Sequence, residues 1–304
     1  MTQETYTLGS TPTIVINTCS GDLEITGQTL EMETATIIGD ASRHTVQIGS
    51  QLMIERCDDL RLTAPRGATI VVQRVDGDAR IEYLAGAQIG EIGGDLNARF
   101  IEQDCSAGRV GGDVRAIDIA NLALGPVGGD VRLEGLTGAL RLARVDGDAT
   151  VCGAVDGFGP AQVGGDLTLD IRFTPGHEYR LDVGGDATVL LPADAGLTLR
   201  ATAGGDVSGV AMNGNGSAEG KWGDGAAQLT LHAGGDLVAR TSNTESERSS
   251  STSTSDIEAA TSVAPPASSQ AGAAGDTLAV LEAVARGDLS AAEADDLLSR
   301  VAHQ

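Results

Sequence analysis

The residues able to do chemistry are mostly carboxylates, and they recur in a fixed context. Gly-Gly-Asp occurs seven times, ending at Asp95, Asp113, Asp130, Asp166, Asp186, Asp206 and Asp236. Asp-Gly-Asp ends at Asp78 and Asp148, Ser-Gly-Asp at Asp22, and weaker copies end at Asp40 and Asp59. Successive spacings from Asp22 are 18, 19, 19, 17, 18, 17, 18, 18, 20, 20 and 30 residues. Carboxylates stacked at such a period could line a cation-binding edge, because Ca²⁺ favours dense carboxylate oxygen. Asp95, Asp113, Asp130, Asp148 and Asp166 are the residues of that candidate edge. Against it, neighbours about 4.8 Å apart repel by about 0.9 kcal/mol in water and about 3.5 kcal/mol at an effective dielectric of 20. Arg61, Arg80, Arg115 and Arg132, two residues past their Asp, would offset part of this. The preferred expectation is a solvated ladder of turn aspartates, each accepting a local backbone N–H, with no metal and no cofactor.

Other reactive groups are few. The calcium β-roll motif, Gly-Gly-x-Gly-x-Asp every nine residues, is missing. Cys19, Cys57, Cys105 and Cys152 form no C-x-x-C and stand near no His in metal-ligand spacing. His44, His177, His232 and His303 are scattered. There is no G-x-S-x-G, no P-loop around the sole Lys221 and no H-E-x-x-H. No catalytic residue is assigned, and the expectation is a protein that is not an enzyme.

Composition narrows the partners. The 304 residues carry a formal charge of −23, which opposes a nucleic-acid backbone. Aromatics are 2%, too few for base-stacking platforms or an aromatic-lined small-molecule pocket. The first basic residue is Arg43, so no positively charged signal segment is expected. No apolar run is long enough to span a bilayer. The expectation is a cytoplasmic protein, reaching an envelope only through a partner.

The elements that hold the carboxylates follow from residue phase. The residue after each Asp is mostly apolar (Leu23, Leu60, Leu96, Val114, Val131, Leu167), as is the third (Ile25, Leu62, Ile81, Leu133, Val151, Leu169). The residue between is polar (Glu24, Arg61, Arg80, Asn97, Arg115, Arg132), giving the alternation of a half-buried strand. Three residues before the Asp comes another apolar position: Val75, Ile92, Val110, Val127, Val145, Val163, Val183. Each repeat therefore reads as strand, Gly-Gly-Asp corner, strand, with Gly expected to supply φ > 0. The period is too short for a propeller blade or a leucine-rich repeat. The predicted fold is all-β, a single-stranded β-solenoid of about twelve coils with each coil stacked on the last. On that stacking Cys19 and Cys57 lie two coils apart, roughly 10 Å, beyond disulfide reach.

The solenoid is assigned to residues 1–240. Asn213-Gly214-Asn215-Gly216 and Trp222 mark an inserted loop, with Trp222 a cap for the last coil or a partner contact. Residues 241–275, rich in Ser, Thr, Ala and Pro, read as a flexible linker. Residues 276–304 read as a helical hairpin: Leu278, Leu281 and Val284, a stop at Gly287, a capping box at Ser290 and Glu293, then Leu297, Leu298 and Val301. Those six apolar residues are the candidate interaction face, for a second copy or another protein.

The stretches 93–98, 111–116, 128–133 and 164–169, Gly-Gly-Asp-Φ-x-Φ, resemble repeats of the bacterial putative-adhesin family of β-solenoids, a domain of unknown function whose repeats read Ser/Gly-Gly-Asp-Val-x-Val. The tail from Leu278 to Val301 looks like the short SHOCT-type hairpin that accompanies such domains. The resemblance implies an envelope-associated protein whose hairpin oligomerises or docks. A looser likeness is to bactofilins, solenoids that polymerise end to end. Three function classes follow: an acidic scaffold, a recognition surface for an envelope or carbohydrate ligand, and a carbohydrate-active enzyme. The first is preferred, because nothing singles out a catalytic pair from a uniform column.

Overall fold

The computed structural model describes residues 2–28, 33–39, 45–192, 194–213 and 217–242. The hairpin residues Leu278, Leu281, Val284, Leu297, Leu298 and Val301, and the linker beyond residue 242, lie outside the described residues. Thr241 and Ser242, assigned to that linker, instead complete the strand Leu237–Ser242.

Among the described residues the chain is all-β, with no helix. Most of the pairing is parallel, and the pattern is consistent with a β-solenoid. The alternation read from sequence is what makes the strands. Leu60–Pro65 and Leu140–Val145 bury every apolar residue of the pattern and expose Arg61 and Arg141. Each repeat, identified below by its corner aspartate, gives one strand before the corner and one after it. Strands before the corner form one ladder, for example Thr69–Val75 with Gly86–Ile92. Strands after it form another, for example Ala79–Leu84 with Leu96 to Ile101. Inward rows such as Ile25, Ile81, Leu133, Val151, Leu169 and Val189 are fully buried between them. Each such side chain contributes about 1.5–3 kcal/mol relative to exposure.

The stacking order departs from the expected one at both ends. From the Asp78 repeat to the Asp186 repeat, chain order is stack order. The Asp22 strands, Thr13–Cys19 and Leu23–Gln28, are instead inserted between those of Asp59 (Gln51–Cys57, Leu60–Pro65) and Asp78. At the other end the Asp236 strands, Ala227–Ala233 and Leu237–Ser242, are inserted between those of Asp186 (Glu178–Val183, Ala187–Pro192) and Asp206 (Leu197–Ala203, Val207–Ser208). The outer repeats carry antiparallel covers. Thr45–Ile48 pairs with Gln51–Cys57, and Thr34–Gly39 pairs with Leu60–Pro65 and with Thr2–Thr7. Thr34–Gly39 leads into the weak copy at Asp40 but is not a parallel rung, so that copy's strand does not extend the stack.

The segment read as an inserted loop is largely strand. Ser217–Trp222 runs antiparallel along Leu197–Ala203, with Leu197 opposite Trp222. The half-buried Trp222 packs against the core, which favours the capping reading.

Candidate functional site

The corner aspartates do form one row. In the order Asp59, Asp22, Asp78, Asp95, Asp113, Asp130, Asp148, Asp166, Asp186, Asp236, Asp206, the amide of each after the first donates to the carboxylate Oδ1 of the one before it, at 2.7–3.0 Å. The acceptor therefore serves the next repeat, not its own turn as the local-turn reading had it. The following residue's amide bonds the neighbouring Asp carbonyl, as Leu96 does to Asp113 at 2.8 Å. Asp95, Asp113, Asp130, Asp148 and Asp166 are thus brought together, each with one oxygen already engaged. Among the described residues no three His, Cys, Asp or Glu side chains are grouped to share a metal ion.

The corner glycines serve closeness of approach and not left-handed backbone. None of them has φ in the left-handed region. A Cβ on Gly129 would stand 2.0 Å from Asp113 Oδ1, and one on Gly128 would stand 2.3 Å from the Gly111 carbonyl oxygen. Gly is required because stacked corners meet backbone to backbone.

The arginines do not neutralise the row. Arg61 pairs with Glu24 at 2.6 Å and Arg132 with Glu134 at 2.5 Å along the outer strand faces, and Arg80 pairs at 2.9 Å with Glu82, whose side chain is buried. The Arg132 hydrogen bond holds the Glu134 carboxyl below its ordinary range.

Three features escaped the sequence reading. The first is the second corner of the repeat, where Tyr83, Phe100 and Asp118 have φ of 60°, 54° and 53°. The Tyr83 and Phe100 rings stack at 4.7 Å, with the Arg66 guanidinium 6.0 Å from the Tyr83 ring. Non-glycine residues in this region are strained, and no residue-type signal marked them. The second is Thr45–Ile48, where Val46 is 51% and Ile48 65% exposed. Its Thr-Val-Gln-Ile alternation was a legible strand signal. The third overturns an expectation. Cys19 and Cys57 are direct register partners on adjacent strands, because the Asp22 repeat sits beside the Asp59 repeat. Cys105 is buried alone, and burial pushes its thiol up to about 12. His177 and His232 are exposed, and His232 Nδ1 hydrogen-bonds the Thr202 hydroxyl. His44 and His303 lie outside the described residues.

These features define an all-β repeat protein with a self-bonded aspartate spine. No family model matches the chain. No curated protein matches it either. Among solved structures it is similar to a putative cell adhesion protein from Clostridium sporogenes, at 12% identity over 79% of this chain and 99% of that one, with a TM-score of 0.20. Among the described residues no helix is long and apolar enough to cross a membrane.

Proposed function

We propose that this chain is a non-enzymatic scaffold: an acidic β-solenoid of eleven stacked repeats that self-associates or docks a protein partner. The observation that carries the reading is the end cover Thr45–Ile48. Val46 and Ile48, two residues apart on one strand, are the most exposed large hydrophobic residues described. An apolar edge strand at the end of a ladder is a template for a second copy. The tail residues Leu278, Leu281, Val284, Leu297, Leu298 and Val301 supply the second contact in this proposal, as their helical spacing and the SHOCT-type resemblance imply. A location in the cytoplasm, with any envelope contact made through a partner, belongs to the same proposal. The spine supports a structural role, since each carboxylate but the last is committed to a backbone amide.

The test is solution mass by light scattering on the full chain, on Val46→Lys/Ile48→Lys, and on a chain ending at Thr241. We expect an oligomer for the full chain and a lower mass for at least one altered form. A monomeric full chain would sink the assembly reading. The second reading, a recognition surface for an envelope or carbohydrate ligand, is favoured by the exposed Tyr83 ring beside Arg66, since such a ring offers an apolar face with a polar edge.

A further inference from the structure

We infer that Cys19 and Cys57 are a disulfide-forming pair that locks the out-of-order repeat into one end of the stack. The row in which they stand makes the case. Reading register partners along the ladder gives Cys57, Cys19, Val75, Ile92, Val110, Val127, Val145, Val163, Val183 and Ala233. Every other described position in this row is aliphatic. The two cysteines occupy neighbouring rungs although 38 residues separate them in the chain.

The geometry suits a bond. Register partners on adjacent parallel strands have Cα atoms about 4.8 Å apart, within the roughly 4.4–6.8 Å that disulfides span. Their side chains leave the sheet on the same face, and both are buried, at 0% and 2% exposure. The nearness of the two thiols lowers the ionisation of Cys19 and raises that of Cys57, and Cys57 Sγ donates to the Thr18 carbonyl of the neighbouring strand at 3.6 Å. Cys19 Sγ also donates to the Asp58 carbonyl at 2.8 Å, which holds it beside its partner strand. Cys105 is buried and Cys152 half-buried on other rungs, and neither faces a second cysteine in its ladder.

The oxidant is a peroxide, small enough to enter when the end repeat opens locally. The Cys19 thiolate attacks one peroxide oxygen, the O–O bond breaks, and hydroxide leaves a sulfenic acid behind. The Cys57 thiolate then attacks that sulfur, the S–O bond breaks and a second hydroxide leaves. The two thiol protons convert both hydroxides to water, so two thiols and one hydrogen peroxide give one disulfide and two waters. The bond closes a loop across the inserted repeat, which limits the freedom of the unfolded chain.

The experiment treats the folded full-length protein with hydrogen peroxide, blocks residual thiols, and maps peptides by mass spectrometry without reduction. We expect a Cys19–Cys57 linked peptide and a melting temperature raised by about 5–10 °C, reversed by dithiothreitol. Cys57→Val, which installs the residue of the other repeats, should fold and show no thermal response to peroxide. Two unlinked Cys19 and Cys57 thiols, after treatment that oxidises the half-buried Cys152, would overturn the proposal. A linked peptide without a thermal shift would overturn the locking role.

Discussion

The middle of the stack and its two ends are built from one repeat but obey different rules. Between Asp78 and Asp186 the row bonds join residues 17–20 apart in sequence. At one end the separations are 37 and 56, and at the other 50 and 30. A repeat presents the same corner and the same alternating strands wherever it lies, so its pattern does not choose its neighbours. What differs at the ends is exposure. The outermost repeat must have its strand edges covered, and a bare repeat brings nothing to cover them with. At both ends the antiparallel cover lies in the chain that joins the outermost repeat to the inserted one, and it folds back onto the outermost repeat. Thr34–Gly39 and Thr45–Ile48 cover one end, and Ser217–Trp222 covers the other. Covered edges also resist uncontrolled pairing with other chains.

The largest effect that could break this comparison comes from ending the chain at Ala226. If repeats stacked in chain order, the cut would peel one outer layer. In the inverted order it empties an inner layer and leaves the Asp206 repeat without a parallel neighbour. Leu229, Leu231 and Leu237 are at most 1% exposed and are lost together, at about 1.5–3 kcal/mol each. Hydrogen exchange should show residues 197–222 unprotected while 79–173 stay protected. Protection retained over 197–222 would mean the outer repeat had settled directly on its Asp186 neighbour.

How far the sequence was legible follows the same divide. The strands, the corner and the single row of aspartates could all be read, because alternation and period act within one repeat. The inversion could not, since swapping two repeats with equal phase changes no local pattern. That is why Cys19 and Cys57 were read as two layers apart. The corner glycines were found for an incorrect reason: their need for closeness lies in the neighbouring repeat, which no single repeat displays. Tyr83 and Phe100 were missed because their positive φ is imposed by the stacked second corner and opposes their own preference.

Cysteine chemistry sharpens the comparison next. The middle buries one isolated thiol, Cys105, and the end buries a pair. Burial raises the Cys105 pKa from 9.0 to about 12. Its contribution to stability is fully present below pH 9 and is lost as pH climbs through 12, because the unfolded chain ionises first. The slope over that window is about 1.4 kcal/mol per pH unit. Cys105→Ala should flatten the fall of the urea midpoint between pH 9 and pH 12. An unchanged slope would assign the alkaline loss to other groups.

The smallest effect concerns the row itself. Asp113 Oδ1 accepts the Asp130 amide, whereas Asp206 ends the row and no described repeat donates to its carboxylate. Asp113→Ala removes a bond to a charged acceptor, worth about 1.5–3 kcal/mol. It also relieves repulsion from two neighbours, about 0.9 kcal/mol each in water and less with salt. The net loss should be about 0–1 kcal/mol at low salt and should grow as salt rises, since screening removes the relief and leaves the bond. Asp113→Asn keeps an acceptor oxygen and sheds the charge, so it should be neutral or slightly stabilising at low salt. Asp206→Ala loses no acceptor in use and should stay within a few tenths of a kcal/mol. Urea midpoints for the three variants at two salt concentrations separate these terms. Equal losses at Asp113 and Asp206 would mean that the corner carboxylates decorate the stack and the backbone ladders alone hold it.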